Sequence, residues 1–165
     1  MYRGEEVTLV KPVGELKYLE PPQTNDFSVV QRMLKEYADA PLYHSASWTG
    51  YPTWGTLLQL IKDNPFNANT FKRPNISCTN WSTQFKNWAQ SQIYGLCLGV
   101  VMGEITNAGQ PSLFHSWNWT SCGGKLVFID YQGTMPAYAV PNTGYWVMES
   151  KLIKEFRKNI IGWHL

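Results

Sequence analysis

Residues 112–132 read SLFHSWNWTSCGGKLVFIDYQ, and the rest of the chain can be placed around them. Two runs rich in β-branched and aromatic residues, Ser112–Thr120 and Lys125–Tyr131, flank Gly123-Gly124, a pair suited to a two-residue hairpin turn. With that turn Cys122 pairs with Lys125, His115 faces Gln132 and Trp117 faces Asp130. His115 and Asp130 are then diagonal neighbours on one face, near enough for a carboxylate to orient an imidazole. A four-residue turn would set the two directly opposite; only an odd-length turn would send them to opposite faces. Trp117 and Trp119 share the His115 face, where they would shield a His115–Asp130 bond from water.

Upstream, Leu96–Thr106 alternates as a strand, with Asn107–Pro111 as the turn into the hairpin. Before it, a helix of about four turns is expected from Cys78, capped by Asn75 or Ser77 and ended by Gly95. Its apolar stripe is Trp81, Phe85 and Trp88, which assigns those rings to the core. Two shorter helices precede it. One runs from Asn25 or Asp26 to about Ala38, and the other starts near Pro52 and carries Trp54, Leu57, Leu58 and Ile61. The stretches 41–51 and 63–75 read as loops, and 1–24, punctuated by Pro12, Pro21 and Pro22, as an extended segment. Downstream, Pro136 and Pro141 mark irregular chain, and Val147–Ile160 has the spacing of a final amphipathic helix. Helices first and then an antiparallel sheet make the expected class α+β, in a single domain over 1–165.

Composition narrows the function classes. Of 165 residues 44% are hydrophobic and 16% charged, against roughly 25% charged in an average soluble domain. Eight Trp, nine Tyr and seven Phe exclude a disordered chain, which lacks such groups to bury. The longest apolar run, Leu96–Met102, is strand-sized and far short of a membrane span. A net charge of +2 leaves no electrostatic footprint for nucleic acid, and the basic run Lys151–Lys158 is broken by Glu155. Met1–Glu6 opens no signal-peptide apolar region. His44, His115 and His164 are as scattered as the three cysteines, and no Cys-x-x-Cys pair exists, which argues against a disulfide scaffold or a zinc site.

One cysteine differs from the others. Cys78 would sit in the first turn of its helix, where free N–H groups and the helix dipole favour a thiolate and can also donate to an oxyanion. Cys97 lies in an apolar strand and Cys122 beside the Gly-Gly turn. From the residues alone, Cys78, His115 and Asp130 read equally as a nucleophilic site or as a surface His–Asp pair beside an unrelated core cysteine.

The order of Cys78 opening a helix, His115-Ser116-Trp117-Asn118 in a strand, and Asp130-Tyr131-Gln132 closing the next resembles the core of the papain-like and transglutaminase-like cysteine enzymes. Within that superfamily it is most similar to the cysteine-peptidase domain attached to a mushroom agglutinin and to bacterial and viral relatives of that domain. The resemblance spans about 75–132, a third of the chain. It implies a papain-like core with Cys78 as nucleophile, His115 as general base and then acid, and Asp130 orienting the imidazole. The implied chemistry is amide hydrolysis of a peptide or protein substrate through an acyl-thioester, or transamidation if an amine takes the acyl group. It also implies an oxyanion held by the Cys78 backbone N–H and a second, upstream donor, with Trp54 the candidate and Gln59 or Trp81 as alternatives. Gln132 would bond the active-site backbone or simply finish its strand.

The chain departs from the family pattern where Thr79-Asn80 follow Cys78 and where Tyr131 replaces the usual Pro. Calcium or manganese activates the agglutinin relative, but Asp26, Asp63 and Glu104 form no ligand-spaced cluster, so no metal or other cofactor is expected here. A binding or structural module of a phage or virus on the same fold is the competing reading, prompted by the ring-rich loop Tyr43–Trp54. In either case Tyr43, Trp48, Tyr51 and Trp54 are expected to line one wall of the cleft. Asn75, Asn80 and Asn118 head Asn-x-Ser/Thr sequons. Glycans there would obstruct the site, so a cytoplasmic or virion-associated protein is favoured over one processed in the secretory pathway.

Overall fold

The two-residue turn forms. In the computed structural model, β5 (Leu113–Cys122) and β6 (Lys125–Tyr131) are antiparallel, with Cys122 opposite Lys125 and Asn118 opposite Ile129. Gly123 and Gly124 have φ of 59° and 77°, the left-handed conformation that this tight turn requires at both central positions and that glycine adopts without a steric penalty. The residues described are 23–24, 27–43, 50–66, 78–105, 113–131, 139–153 and 160–165.

Three helices lie ahead of the hairpin. The first, α1 (Phe27–Tyr37), buries Val30, Leu34 and Tyr37 at helical spacing. In α2 (Trp54–Asp63) the Thr53 side chain accepts from the Thr56 N–H at 3.2 Å, capping the first turn. The longest, α3 (Cys78–Gln92), starts at the expected cysteine and buries Trp81, Phe85 and Ala89, and Gly95 follows it at φ 80°. Among the described residues no helix is long and apolar enough to cross a membrane.

The short strands β1 (Gln23–Thr24) and β3 (Gly50–Tyr51) pair with each other. The main sheet has six strands in the order β2-β8-β4-β5-β6-β7, where β2 is Leu42–Tyr43, β4 Leu98–Ile105, β7 Tyr145–Glu149 and β8 Ile160–His164. It separates two helical layers. On one face α2 and α3 pack Leu57, Leu60, Phe85 and Ala89 against Leu98, Val127, Ile129 and Tyr145. On the other, α1 packs Val30, Leu34 and Tyr37 against Trp117, Phe128, Met148 and Trp163. The fold is therefore α+β as expected, but the sheet is mixed rather than antiparallel, because β2 runs parallel to β8.

The expected C-terminal helix over Val147–Ile160 does not form. Its first residues belong to β7, Ser150–Leu152 make one 3-10 turn, and Ile160 opens β8. The reason lies in burial: Val147 packs on the α2/α3 side and its neighbour Met148 on the α1 side. A run of consecutive apolar residues buried on both faces is a strand pattern that helical periodicity cannot separate from a helix. Lys154–Lys158 of the basic run, Asn25 and Asp26 at the start of α1, and Asn107–Pro111 lie outside the described residues.

Gly99 on β4 pairs with Trp119, and the absent side chain lets the indole lie across the strand. Trp119 Nε1 thereby donates to the His164 carbonyl on β8 at 3.2 Å. A Cβ on Gly99 would run into both the indole and that carbonyl. Gly99→Ala is therefore expected to cost about 3 kcal/mol, and Gly124→Ala about 1–2 kcal/mol through its positive φ. Gly55→Ala, in open space on α2, is expected to gain about 0.5–1 kcal/mol from helix propensity. Urea unfolding midpoints would give this ranking, and a neutral Gly99→Ala would contradict the packing described.

Candidate active site

Strand parity places the first two groups. His115 and Asp130 project on the same face of the hairpin, and His115 Nε2 meets Asp130 Oδ2 at 2.6 Å. The other carboxylate oxygen, Oδ1, accepts the Tyr131 backbone N–H at 2.8 Å, so both oxygens of this buried acid have partners. The imidazole stacks on Trp117, with ring centroids 5.6 Å apart at 22°, and Trp117 is fully buried. Trp117 thus lies against the imidazole as expected, whereas Trp119, expected beside it, packs on Trp163 and donates to the His164 carbonyl.

The thiol arrives from the helical layer. Cys78 is the first residue of α3, and its sulfur hydrogen-bonds His115. With Nε2 held by Asp130, Nδ1 is the ring nitrogen left to serve the thiol. That bond is the largest influence lowering the Cys78 pKa; burial opposes it, and the His115 charge, the Ser116 backbone N–H and the Thr79 side chain reinforce it. For His115, burial opposes the charged form, but hydrogen bonds to Asp130 and Cys78 and their negative charges outweigh it, raising its pKa to about 9. Burial pushes the Asp130 carboxyl up, while His115 and the Tyr131 N–H pull it down. Cys97 and Cys122 behave oppositely to Cys78, both pushed up to about 12 by burial. Only Cys78 has the surroundings of an activated nucleophile.

The other row of β5 holds the helix. Ser116 Oγ and Ser82 Oγ are 2.9 Å apart, and Asn118 Nδ2 donates to the Ser82 carbonyl at 2.8 Å and the Gly99 carbonyl at 3.1 Å. One step further, Thr120 Oγ1 donates to the Cys97 carbonyl at 2.6 Å. A small cleft opens at Cys78 and Asp130, with polar walls from Ser82, Ser116 and Asn118 and rings from Trp81, Trp117, Tyr131 and Tyr145. Trp81 and Tyr131 stack at 3.8 Å and 16°, and Tyr145 meets Tyr131 edge-on at 5.1 Å.

Of the residues singled out from sequence, Cys78, His115 and Asp130 come together, and Trp81 and Trp117 line their cleft. Trp54 opens α2 with its ring 44% exposed, and Gln59 donates to Asp63 Oδ1 at 3.0 Å; neither lines the cleft. Gln132, Trp48, His44 and Asn75 lie outside the described residues. The expected aromatic wall is not built. Tyr43 stacks on His164 at 5.0 Å, on the outermost strand of the sheet, and Tyr51 is buried in the α1-side core. Pairing of β2 with β8 and of β3 with β1 separates these rings. The Asn118 sequon is buried with its amide already used twice, so in this fold it offers no side chain for a glycan.

Ser82 and Tyr145 are site residues that the sequence reading missed, and Ser116 and Tyr131 entered it only as motif members without a role. Ser82 carried a signal, since it is one helical turn beyond Cys78 and faces the same way. Tyr145 carried none, because only the pairing of β7 with β6 brings it opposite Tyr131. Among the described residues no group of three His, Cys, Asp or Glu side chains could hold a metal ion. Compared with protein-family models and with curated proteins, the chain matches none.

The geometry has a direct chemical readout. Asp130→Asn removes the charge that holds the proton on His115, so the Cys78 pKa should rise and iodoacetamide alkylation of Cys78 at pH 6 should slow by about tenfold. Peptide mapping should find Cys97 and Cys122 unlabelled in the native protein. Equal labelling of all three thiols would show that no activated pair exists.

Proposed function

We propose that the protein is a thiol-dependent acyl-transfer enzyme of papain-like arrangement, acting on amide bonds of peptides or proteins. The observation that supports this reading is the contact of Cys78 with His115 and of His115 with Asp130, the half-buried 2.6 Å imidazole–carboxylate bond lying beside Trp117. In this scheme the Cys78 thiolate adds to the carbonyl carbon and forms an S–C bond, and the carbonyl electron pair moves onto oxygen. The Cys78 backbone N–H, at the start of α3, is the donor assigned to that oxyanion. Collapse of the adduct breaks the C–N bond as His115 gives its proton to the departing nitrogen, leaving an acyl-thioester and an amine. His115, now neutral, takes a proton from the incoming water as its oxygen bonds the acyl carbon. The S–C bond then breaks, the acid is released and the Cys78 thiolate is restored beside protonated His115; an amine in place of water completes a transamidation. Asp130 holds the ring orientation and stabilises the imidazolium throughout.

The competent form has Cys78 ionised and His115 protonated. Activity should therefore rise as pH climbs through the lowered Cys78 pKa and fall as His115 loses its proton near 9. Alkylation needs only the thiolate, so it should show the acid limb without the fall near 9. The deciding experiment incubates the protein with a peptide library, with and without a primary amine, and reads products by mass spectrometry. Cleavage or amine incorporation that drops at least about a thousandfold in Cys78→Ala supports the proposal. A library that is bound but returned unchanged would replace it with a non-catalytic binding module.

A further inference from the structure

The reactive pair is divided between two elements, since Cys78 belongs to a helix and His115 to a strand, and something must hold one against the other. Ser82 lies one turn along α3, and its hydroxyl is 2.9 Å from the Cys78 carbonyl and 3.1 Å from the Thr79 carbonyl. A serine hydroxyl has a single proton, which these two acceptors share. The contact with Ser116 Oγ at 2.9 Å therefore runs in one direction, with Ser116 donating and Ser82 accepting. Ser116 is the chain neighbour of His115, and its own backbone N–H also favours the Cys78 thiolate. Both serines are buried, at 3% and 1% exposure, so water does not substitute for either hydroxyl.

Resting on the thiol–imidazole pair as the reactive centre, we infer that Ser82 and Ser116 are positioning residues, a hydroxyl bridge that locks the Cys78 peptide to the strand bearing His115 and so sets the thiol against the imidazole and the Ser116 N–H. Asn118 braces the same turn from the next inward-facing position of β5, through the Ser82 carbonyl. The bridge acts on orientation alone: no bond to substrate passes through either hydroxyl. Its loss leaves the triad present but out of register, and a loss of about 1 Å in alignment is enough to cost about a hundredfold in rate.

Among the described residues, the charged and titratable groups around the thiol are His115 from β5, Asp130 and Tyr131 from β6 and Tyr145 from β7, and none is altered by changing the serines. The test follows the pH dependence of Cys78 alkylation by iodoacetamide in Ser82→Ala, Ser116→Ala, the double variant, Ser82→Thr and Thr120→Ala. Each single alanine variant should move the midpoint up by about one unit, equivalent to about tenfold less thiolate at low pH. The double variant should be no worse than either single one, since the two hydroxyls act as one unit, and Ser82→Thr should recover part of the shift. Thr120→Ala removes a buried hydroxyl bond on the same strand face, away from Cys78; it should lower stability without moving the midpoint. Should Ser82→Ala fail to fold, Ser116→Ala carries the test. A folded Ser116→Ala with an unshifted midpoint overturns the inference, as do additive effects in the double variant or a Thr120→Ala shift equal to the others. None of these readings uses a substrate, so a confirmed shift in a protein that cleaves nothing would count against the proposed function and leave the bridge standing.

Discussion

Two glycines at positive φ decide which residues of β5 and β6 can meet. Because side chains alternate along a strand, that one register does two things together. It sets His115 beside Asp130 and sends Trp117, Trp119 and Phe128 into the α1-side core, and it turns Ser116, Asn118 and Thr120 toward α3. The first row supplies the imidazole, its carboxylate and their apolar cover. The second is a line of short polar side chains, each spent on a hydrogen bond to a helix or neighbouring-strand partner. A slip of one residue would place rings against the helix N-terminus and hydroxyls in the apolar core, so register is specified on both faces at once.

The site gathers charge where water is scarce, which is costly unless every charge has partners. Asp130 has an imidazole on one oxygen and a backbone N–H on the other, and the imidazole lies between two groups that both favour its proton. The surrounding rings reduce the local dielectric and strengthen these contacts. The aromatic richness of the composition is thereby divided by position. Trp117, Trp119, Trp163 and Phe128 fill the α1-side core, whereas Trp81, Tyr131 and Tyr145 form a cluster of rings at the cleft.

Local signals carried most of what could be read in advance. The Gly-Gly turn, the helix beginning at Cys78 and the contrast among the three cysteines each depend on a few adjacent residues, and the structure has all of them. What escaped depends on pairings between distant segments. Tyr145 could not be placed without knowing that β7 lies beside β6. The loop aromatics could not be parted from one another without the parallel pairing of β2 with β8. The helix expected over Val147–Ile160 fails at its start because Val147 and Met148 continue the short apolar run Tyr145–Met148, which has no period of its own and which neighbours on both faces make a strand.

The place of β8 in the sheet gives the molecule an order of assembly. It lies between β2 and β4, and its His164 carbonyl receives the Trp119 indole that crosses Gly99. On the ribosome, Cys78, His115 and Asp130 are all translated before residues 160–164 emerge. Until then the growing chain has a missing plank beside β4, with the Trp119 indole lacking its acceptor. Completion of the sheet thus waits for a segment synthesised about thirty residues after Asp130.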